Sequence, residues 1–120
     1  ALAASGTVAL ELAMAKVPYT IAYKMNPVSS FLARKLVSGK YANLVNILAD
    51  REIVKEYLLE DCRPDLLALE VERLLTDEAY KNAEVNGAFD VLKMLGADGA
   101  ETPSQKAADA ILNLIKENKQ

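Results

Sequence analysis

The sequence contains no histidine and a single cysteine, Cys62. Without histidine, neither a serine nor a cysteine nucleophile has an imidazole base to pair with. A zinc site is also disfavoured, because histidine nitrogen and cysteine sulfur are the usual ligands of zinc. A single cysteine excludes an intrachain disulfide, so we expect the protein in a reducing compartment.

The sequence also lacks an excess of positive charge and any long apolar run. Its 120 residues include 14 basic and 17 acidic side chains, which give a formal net charge of −3 and argue against a general nucleic-acid binder. No apolar run reaches the roughly twenty residues that span a bilayer, and the start does not read as a signal peptide. Contact with a membrane surface stays open. The apolar share of 52% is sufficient for one soluble core.

The most informative feature present is a turn of small residues, Ser5, Gly6 and Thr7, at the start of an apolar helix. Small side chains let a ligand approach the first free backbone N–H groups, where the helix dipole favours an anion. Glu11 follows Thr7 by one helical turn on the same face, within reach of sugar hydroxyls. The pattern predicts a phosphate-binding turn beside a sugar. The alternative is that Ser5 or Thr7 only caps the helix and that Glu11 is a solvated charge.

The first part of the chain is predicted to be a βαβ unit. Residues 1–4 look like the tail of a buried strand cut from a longer protein, and residues 19–23 have the composition of a second strand. Residues 8–15, between them, are apolar except for Glu11, so we expect a helix sandwiched in a layered core. An unpaired carboxylate there implies either an exposed end of the helix or a specific partner. The small turn would then lie at the carboxyl end of the first strand, where parallel sheets bind ligands.

Helices are predicted for most of the remaining chain, while residues 44–48 stay unassigned. Asn46 lies in that apolar run, and a backbone hydrogen bond would satisfy its amide as well as a ligand would. The predicted helices begin at Pro27, Asp50, Pro64, at Thr76 or Asp77, and at Pro103.

Two of these predicted helices bear on function. The helix from Asp50 would carry Glu52 in its first turn and Ile53, Val54, Tyr57 and Leu58 on one face. The helix from Pro27 is expected to pack against the core. A second hypothesis is that its apolar and basic residues form a patch that contacts a membrane surface. They are Phe31, Leu32, Arg34 and Lys35.

A series of motifs resembles the lipid A disaccharide synthases of Gram-negative bacteria, glycosyltransferases with two Rossmann-like domains. Order and spacing fit from residue 1 to about residue 76. Val45 stands where the family has proline, and Asp50 stands where it has glycine; aspartate adopts a positive φ less readily. The matching segments are Ala4–Thr7 with Leu10 and Glu11, Ala22–Lys24 with Pro27, residues 32–37, residues 46–52, and Glu60–Cys62 with Pro64.

The resemblance implies an α/β fold, with part of a GT-B nucleotide-sugar-binding domain over residues 1–76 and carboxyl-terminal helices over residues 77–120. It implies an inverting transfer of diacylglucosamine from UDP to diacylglucosamine 1-phosphate in lipid A biosynthesis, with no cofactor and no metal. The catalytic base would lie in an amino-terminal domain outside these residues, so this part alone is expected to be inactive. The implied site comprises Ser5, Gly6 and Thr7 at the diphosphate, Glu11 at the ribose, and Asn46 and Glu52 in the same cleft.

The same resemblance implies a homodimer with exchanged carboxyl-terminal segments, located in the cytoplasm and peripheral at the inner membrane. Two other functions remain open. One is a different UDP-sugar transferase or epimerase of the GT-B fold, because the phosphate turn and its carboxylate are shared across that fold. The other is a non-catalytic helical interaction module, in which the small turn is only a helix cap.

Overall fold

Three short parallel strands form the sheet in the computed structural model, which describes residues 1–4, 6–26, 29, 39–96, 99 and 102–118. The strands are β1 (Leu2–Ala3), β2 (Thr20–Tyr23) and β3 (Glu56–Leu58), in the order β1-β2-β3. Leu2 pairs with Thr20, and Ile21 pairs with Glu56. Because all strands are parallel, the segments that follow them lie together at the carboxyl ends of the strands. The segments that precede them lie together at the amino ends.

The predicted βαβ unit is confirmed by helix α1 (Val8–Met14) between β1 and β2. Ala9 and Ala13 of α1 are buried in the core, whereas Met14 is exposed. One face of α1 is therefore packed and the other is exposed, so the helix is not sandwiched between two layers within the described residues. The core residues are Ala9, Ala13, Tyr19, Ile21, Val45, Val54, Ala88, Val91 and Leu92.

The unassigned run after β2 contains a short helix, α2 (Leu44–Ala49). Asn43 caps it, because its side chain accepts a 3.0 Å hydrogen bond from the N–H of Val45. Asp50 ends it in the left-handed conformation, with φ 51°. The helix predicted to start at Pro27 and its candidate membrane patch lie outside the described residues, apart from Ser29, which is helical.

The helix predicted to begin at Asp50 is wrong, since the segment leads into strand β3 instead. The N–H groups of Ile53 and Val54 bond to the Asn46 side chain, at 2.8 and 3.0 Å. The carbonyl of Lys55 accepts a hydrogen bond from the N–H of Ile21 on β2. Side-chain and sheet partners therefore replace the intrahelical bonds that a helix would make.

The left-handed Asp50 gives a testable stability effect. Asp50→Gly is expected to raise the free energy of unfolding by about 0.5 kcal/mol and Asp50→Ala to lower it by a similar amount, because only glycine adopts this φ without strain. Ala15, at φ −74°, is the control, and Ala15→Gly should lower stability. Urea unfolding measures all three variants. Equal stability of Asp50→Gly and Asp50→Ala would contradict the left-handed assignment.

The second half is helical, with α3 (Pro64–Thr76), α4 (Glu78–Met94) and α5 (Pro103–Asn118). Pro64 and Asp77 begin helices as predicted, and the Asp77 carboxylate accepts the N–H of Tyr80 at 2.9 Å. The helix predicted to begin at Pro103 is also present, and a capping box opens it, because Thr102 and Gln105 exchange bonds of 2.7 and 3.3 Å.

Helices α4 and α5 differ in their packing. Ala88, Val91 and Leu92 of α4 enter the core beside α1, whereas the side chains of residues 104–117 of α5 are exposed. The division of the chain after residue 76 stays a prediction. In the part of the chain that the structure describes, no helix has both the length and the apolar character needed to cross a membrane.

Candidate functional site

Gly6 shapes the opening turn at the carboxyl end of β1. Its φ is +130°, a conformation that side chains strongly disfavour, and a Cβ built on it would meet no atom within 4 Å. Glycine is therefore required here for backbone conformation, while the space beside it is open. Gly6 and Thr7 are both exposed. Ser5 lies outside the described residues.

Two backbone N–H groups at the start of α1 bear on anion binding. Thr7 makes no side-chain capping bond, so the capping alternative does not hold for it. Its carbonyl accepts the N–H of Leu10 at 3.1 Å. The N–H groups of Thr7 and Val8 have no acceptor among the residues described. A small anion beside Gly6 would lie close enough to accept hydrogen bonds from these two groups.

Glu11 lies on the exposed side of α1, opposite Ala9 and Ala13. Its carboxylate makes neither a hydrogen bond nor an ion pair within the described ranges. Because it is solvated, the desolvation argument for a specific partner does not apply. The case for a ligand contact at Glu11 therefore rests on its position, one helical turn after Thr7, where its carboxylate can accept hydrogen bonds.

Asn46 is fully buried and its amide is saturated by protein groups. Its Oδ1 accepts the N–H groups of Ile53 and Val54, and its Nδ2 donates to the Val54 carbonyl at 2.7 Å and to Glu56 Oε1 at 3.0 Å. The alternative that backbone bonds satisfy this amide therefore holds in the structure. Asn46 fixes the loop that leads into β3, and its contact with a nucleotide sugar stays a prediction.

Glu52 is exposed and forms an ion pair with Lys55 at 2.9 Å. Glu52 precedes β3 and so lies at the amino ends of the parallel strands, whereas Gly6 follows β1 and lies at their carboxyl ends. The structure brings Gly6, Thr7 and Glu11 together and does not bring Glu52 to them. Its role at a nucleotide sugar also stays a prediction.

The sequence analysis did not identify Glu84, a carboxylate that is only 4% exposed. Its Oε1 accepts the N–H of Tyr19 at 2.8 Å, and its Oε2 has no partner in the described structure. Burial raises the pKa of Glu84 to about 7, against the lowering effect of the Tyr19 N–H. The spacing of Glu84 from Ala88 and Val91 places it on the buried face of α4, which was the available signal.

A second buried carboxylate, Glu70, joins α3 to α4 and β3. It accepts hydrogen bonds from the hydroxyls of Tyr80 at 2.7 Å and Tyr57 at 3.2 Å. Arg73 stacks over the Tyr80 ring at 3.7 Å. Burial and the Glu70 carboxylate raise the pKa of Tyr57 to about 12, and the same causes raise the pKa of Tyr80. We assign this cluster a structural role, because all its polar groups are paired.

The raised pKa of Glu84 predicts that the stability of the fold depends on pH. Its folded pKa of about 7 exceeds the ordinary value of 4.5, so between these values the folded state binds more protons. Stability should therefore be highest below pH 4.5 as far as this group is concerned, and should fall by about 2 kcal/mol as pH rises to 7. Urea unfolding from pH 4.5 to 8 should show this slope removed by Glu84→Gln and kept by Glu72→Gln, an exposed control. An unchanged slope in Glu84→Gln would contradict the assignment.

Comparisons with known proteins give the family. A family profile described as lipid-A-disaccharide synthetase matches residues 1–110. Similar proteins named lipid-A-disaccharide synthase include that of Paramagnetospirillum magneticum, which is 52% identical over all of this chain and 31% of its own length. That of Rhodospirillum centenum is 51% identical over 96% of this chain and 28% of its own length. That of Vibrio campbellii is 46% identical over 94% of this chain and 28% of its own length. This chain spans about 30% of the length of these relatives. The chain thus belongs to the lipid-A-disaccharide synthase family.

Proposed function

We propose that this chain is the nucleotide-sugar-binding part of an inverting glycosyltransferase of the GT-B fold. The enzyme would transfer diacylglucosamine from its UDP carrier to diacylglucosamine 1-phosphate, forming the lipid A disaccharide. The observation that carries the proposal is the family match over residues 1–110. It is supported by the parallel βαβ unit, whose open glycine turn follows the first strand.

In this proposal the opening turn binds the diphosphate. Ser5, Gly6 and Thr7 surround it, and the backbone N–H groups stabilise the negative charge that grows on UDP as it leaves. Glu11 accepts hydrogen bonds from the ribose hydroxyls. The general base that takes the proton from the acceptor hydroxyl lies outside this chain. Neither a metal nor a cofactor is needed in this scheme.

Asn46 and Glu52 belong to the proposed nucleotide-sugar site on the strength of the resemblance. For Asn46, the bonds to Ile53 and Val54 support an indirect role, in which it holds the loop before β3 in one conformation. For Glu52, a direct contact rests on the resemblance alone, because its observed partner is Lys55.

We also propose that the complete enzyme is a homodimer with exchanged carboxyl-terminal segments, in the cytoplasm and peripheral at the inner membrane. Helix α5 supports the dimer, since its apolar residues are unpacked. These residues are Ile111, Leu112, Leu114 and Ile115, each 48–59% exposed. Covering such a surface would contribute favourably to association.

The direct test is turnover by the complete enzyme with UDP-diacylglucosamine and diacylglucosamine 1-phosphate. We expect UDP and an inverted, β-linked disaccharide in equal amounts, measured by mass spectrometry and NMR. Binding of UDP without transfer, or epimerisation of the donor, would favour another GT-B enzyme. Absence of UDP affinity would favour the helical interaction module.

A further inference from the structure

Lys24 is the first residue after β2, and the pairing of the strands places it beside the turn that follows β1. Ala3 of β1 pairs in parallel with Ile21 of β2. Gly6 follows Ala3 by three positions, and Lys24 follows Ile21 by the same number. Neighbouring strands lie about 4.8 Å apart, and the four-carbon stem of lysine can cross such a spacing. Lys24 is therefore placed to reach a ligand held beside Gly6.

Lys24 has no protein partner in the part of the chain that the structure describes. The residue is exposed, and its ammonium makes neither a hydrogen bond nor an ion pair with another described residue. The segments directly after β2 and β3, residues 24–26 and 59–63, contain one further cation, Arg63. The guanidinium of Arg63 donates to both oxygens of the Asp65 carboxylate, at 3.1 and 2.6 Å. Of these two cations, Lys24 is therefore the one available to a ligand.

Negative charge surrounds the position of Lys24. Glu60 and Asp61 follow β3, and Glu11 lies on the exposed side of α1. Strand β2 lies between β1 and β3, so Lys24 stands between the turn after β1 and the acidic turn after β3. A diphosphate beside Gly6 would be repelled by these carboxylates, and a neighbouring ammonium offsets that repulsion.

We propose that Lys24 binds the diphosphate of the nucleotide-sugar donor through a charge-assisted hydrogen bond. The inference rests on the proposed function and adds to it a side chain that selects the diphosphate form of the ligand. A ligand without phosphate offers the Lys24 ammonium no anionic acceptor, so its affinity does not depend on this residue.

The same contact assists the transfer step. The bond between the anomeric carbon and the diphosphate oxygen breaks, and its electron pair goes to UDP. The acceptor hydroxyl oxygen forms the new bond to that carbon and gives its proton to the base outside this chain. The negative charge on the leaving diphosphate grows during this step, and the Lys24 ammonium stabilises it together with the backbone N–H groups of the turn.

The test compares UDP with uridine, because the two ligands differ only in the diphosphate. Calorimetry or NMR titration of the complete enzyme gives the dissociation constants. Lys24→Met removes the ammonium and keeps a long side chain, and Lys24→Arg keeps the positive charge. Lys40→Met is the matched control, since Lys40 is an exposed lysine that lies 5.3 Å from the Tyr41 ring, in the segment before α2.

We expect Lys24→Met to weaken UDP binding at least about tenfold and to leave uridine binding unchanged. Lys24→Arg should retain most of the affinity for UDP, because the space beside Gly6 is open. Lys40→Met should bind both ligands as the wild type does. Added salt should weaken UDP binding less in Lys24→Met than in the wild type. The UDP series decides by itself if uridine binds too weakly to titrate.

Unchanged UDP affinity in Lys24→Met, an equal loss for UDP and uridine, or an equal loss in Lys24→Arg would overturn this inference and leave the proposed diphosphate turn standing. A wild-type enzyme that does not prefer UDP to uridine would overturn the diphosphate turn itself, and the role of Lys24 with it. The two failures are therefore distinguishable.

Discussion

Asn46→Ala is expected to lower the free energy of unfolding by about 3 kcal/mol. The substitution removes an amide that makes four hydrogen bonds at a fully buried position. The N–H groups of Ile53 and Val54 and the carbonyl of Val54 would be left without these partners. Unsatisfied buried groups of this kind cost about 1–3 kcal/mol each, and partial entry of water reduces the sum.

Urea unfolding of the complete enzyme measures this loss. Asn82→Ala is the matched control, because Asn82 is an exposed asparagine within helix α4 and alanine has the higher helix propensity. Asn46→Asp should also destabilise, since it replaces the Nδ2 donor by an oxygen facing the Glu56 carboxylate. A loss below about 1 kcal/mol in Asn46→Ala would show that the loop before β3 does not depend on this side chain.

Glu11→Ala is expected to weaken UDP binding by the complete enzyme about tenfold to a hundredfold. Hydrogen bonds to a charged group contribute roughly 1.5–3 kcal/mol, which corresponds to this range. Because Glu11 is exposed and unpaired in the described structure, the substitution should leave folding unaffected. Glu72→Ala, at an exposed glutamate of α3, is the control and should bind UDP normally.

The role of the ribose can be separated from charge by a cycle of ligand and protein changes. Wild type should lose affinity for 2′-deoxy-UDP relative to UDP, whereas Glu11→Ala should not distinguish the two ligands. Calorimetry supplies the four dissociation constants. If Glu11→Ala discriminates between UDP and 2′-deoxy-UDP as strongly as wild type does, Glu11 does not contact the 2′-hydroxyl.

Local patterns were sufficient to predict the βαβ unit and most helix starts. The caps at Asp77 and Thr102 depend on groups within three residues, and the small turn at Gly6 depends on its own backbone. Such features are visible in a short stretch of sequence. The sequence also identified Glu11 as an accessible acceptor. Of the two explanations for a carboxylate in this apolar helix, an exposed position or a specific partner, the structure shows the exposed position.

Long-range contacts explain what the sequence analysis missed. The segment after Asp50 reads as a helix, but Asn46 captures its N–H groups and Ile21 of β2 pairs with it. Glu84 owes its burial and its bond to Tyr19, 65 positions away in the chain. Contacts of that separation follow from the packing of the sheet against α4, which no local pattern of residues reports.

The central claim is that the turn after β1 holds the diphosphate of UDP, and a crystal structure of the complete enzyme with UDP tests it most directly. The account predicts diphosphate oxygens about 3 Å from the N–H groups of Thr7 and Val8, with the ribose hydroxyls on Glu11. A diphosphate bound elsewhere, with this turn empty and Glu11 paired to a basic side chain, would contradict it.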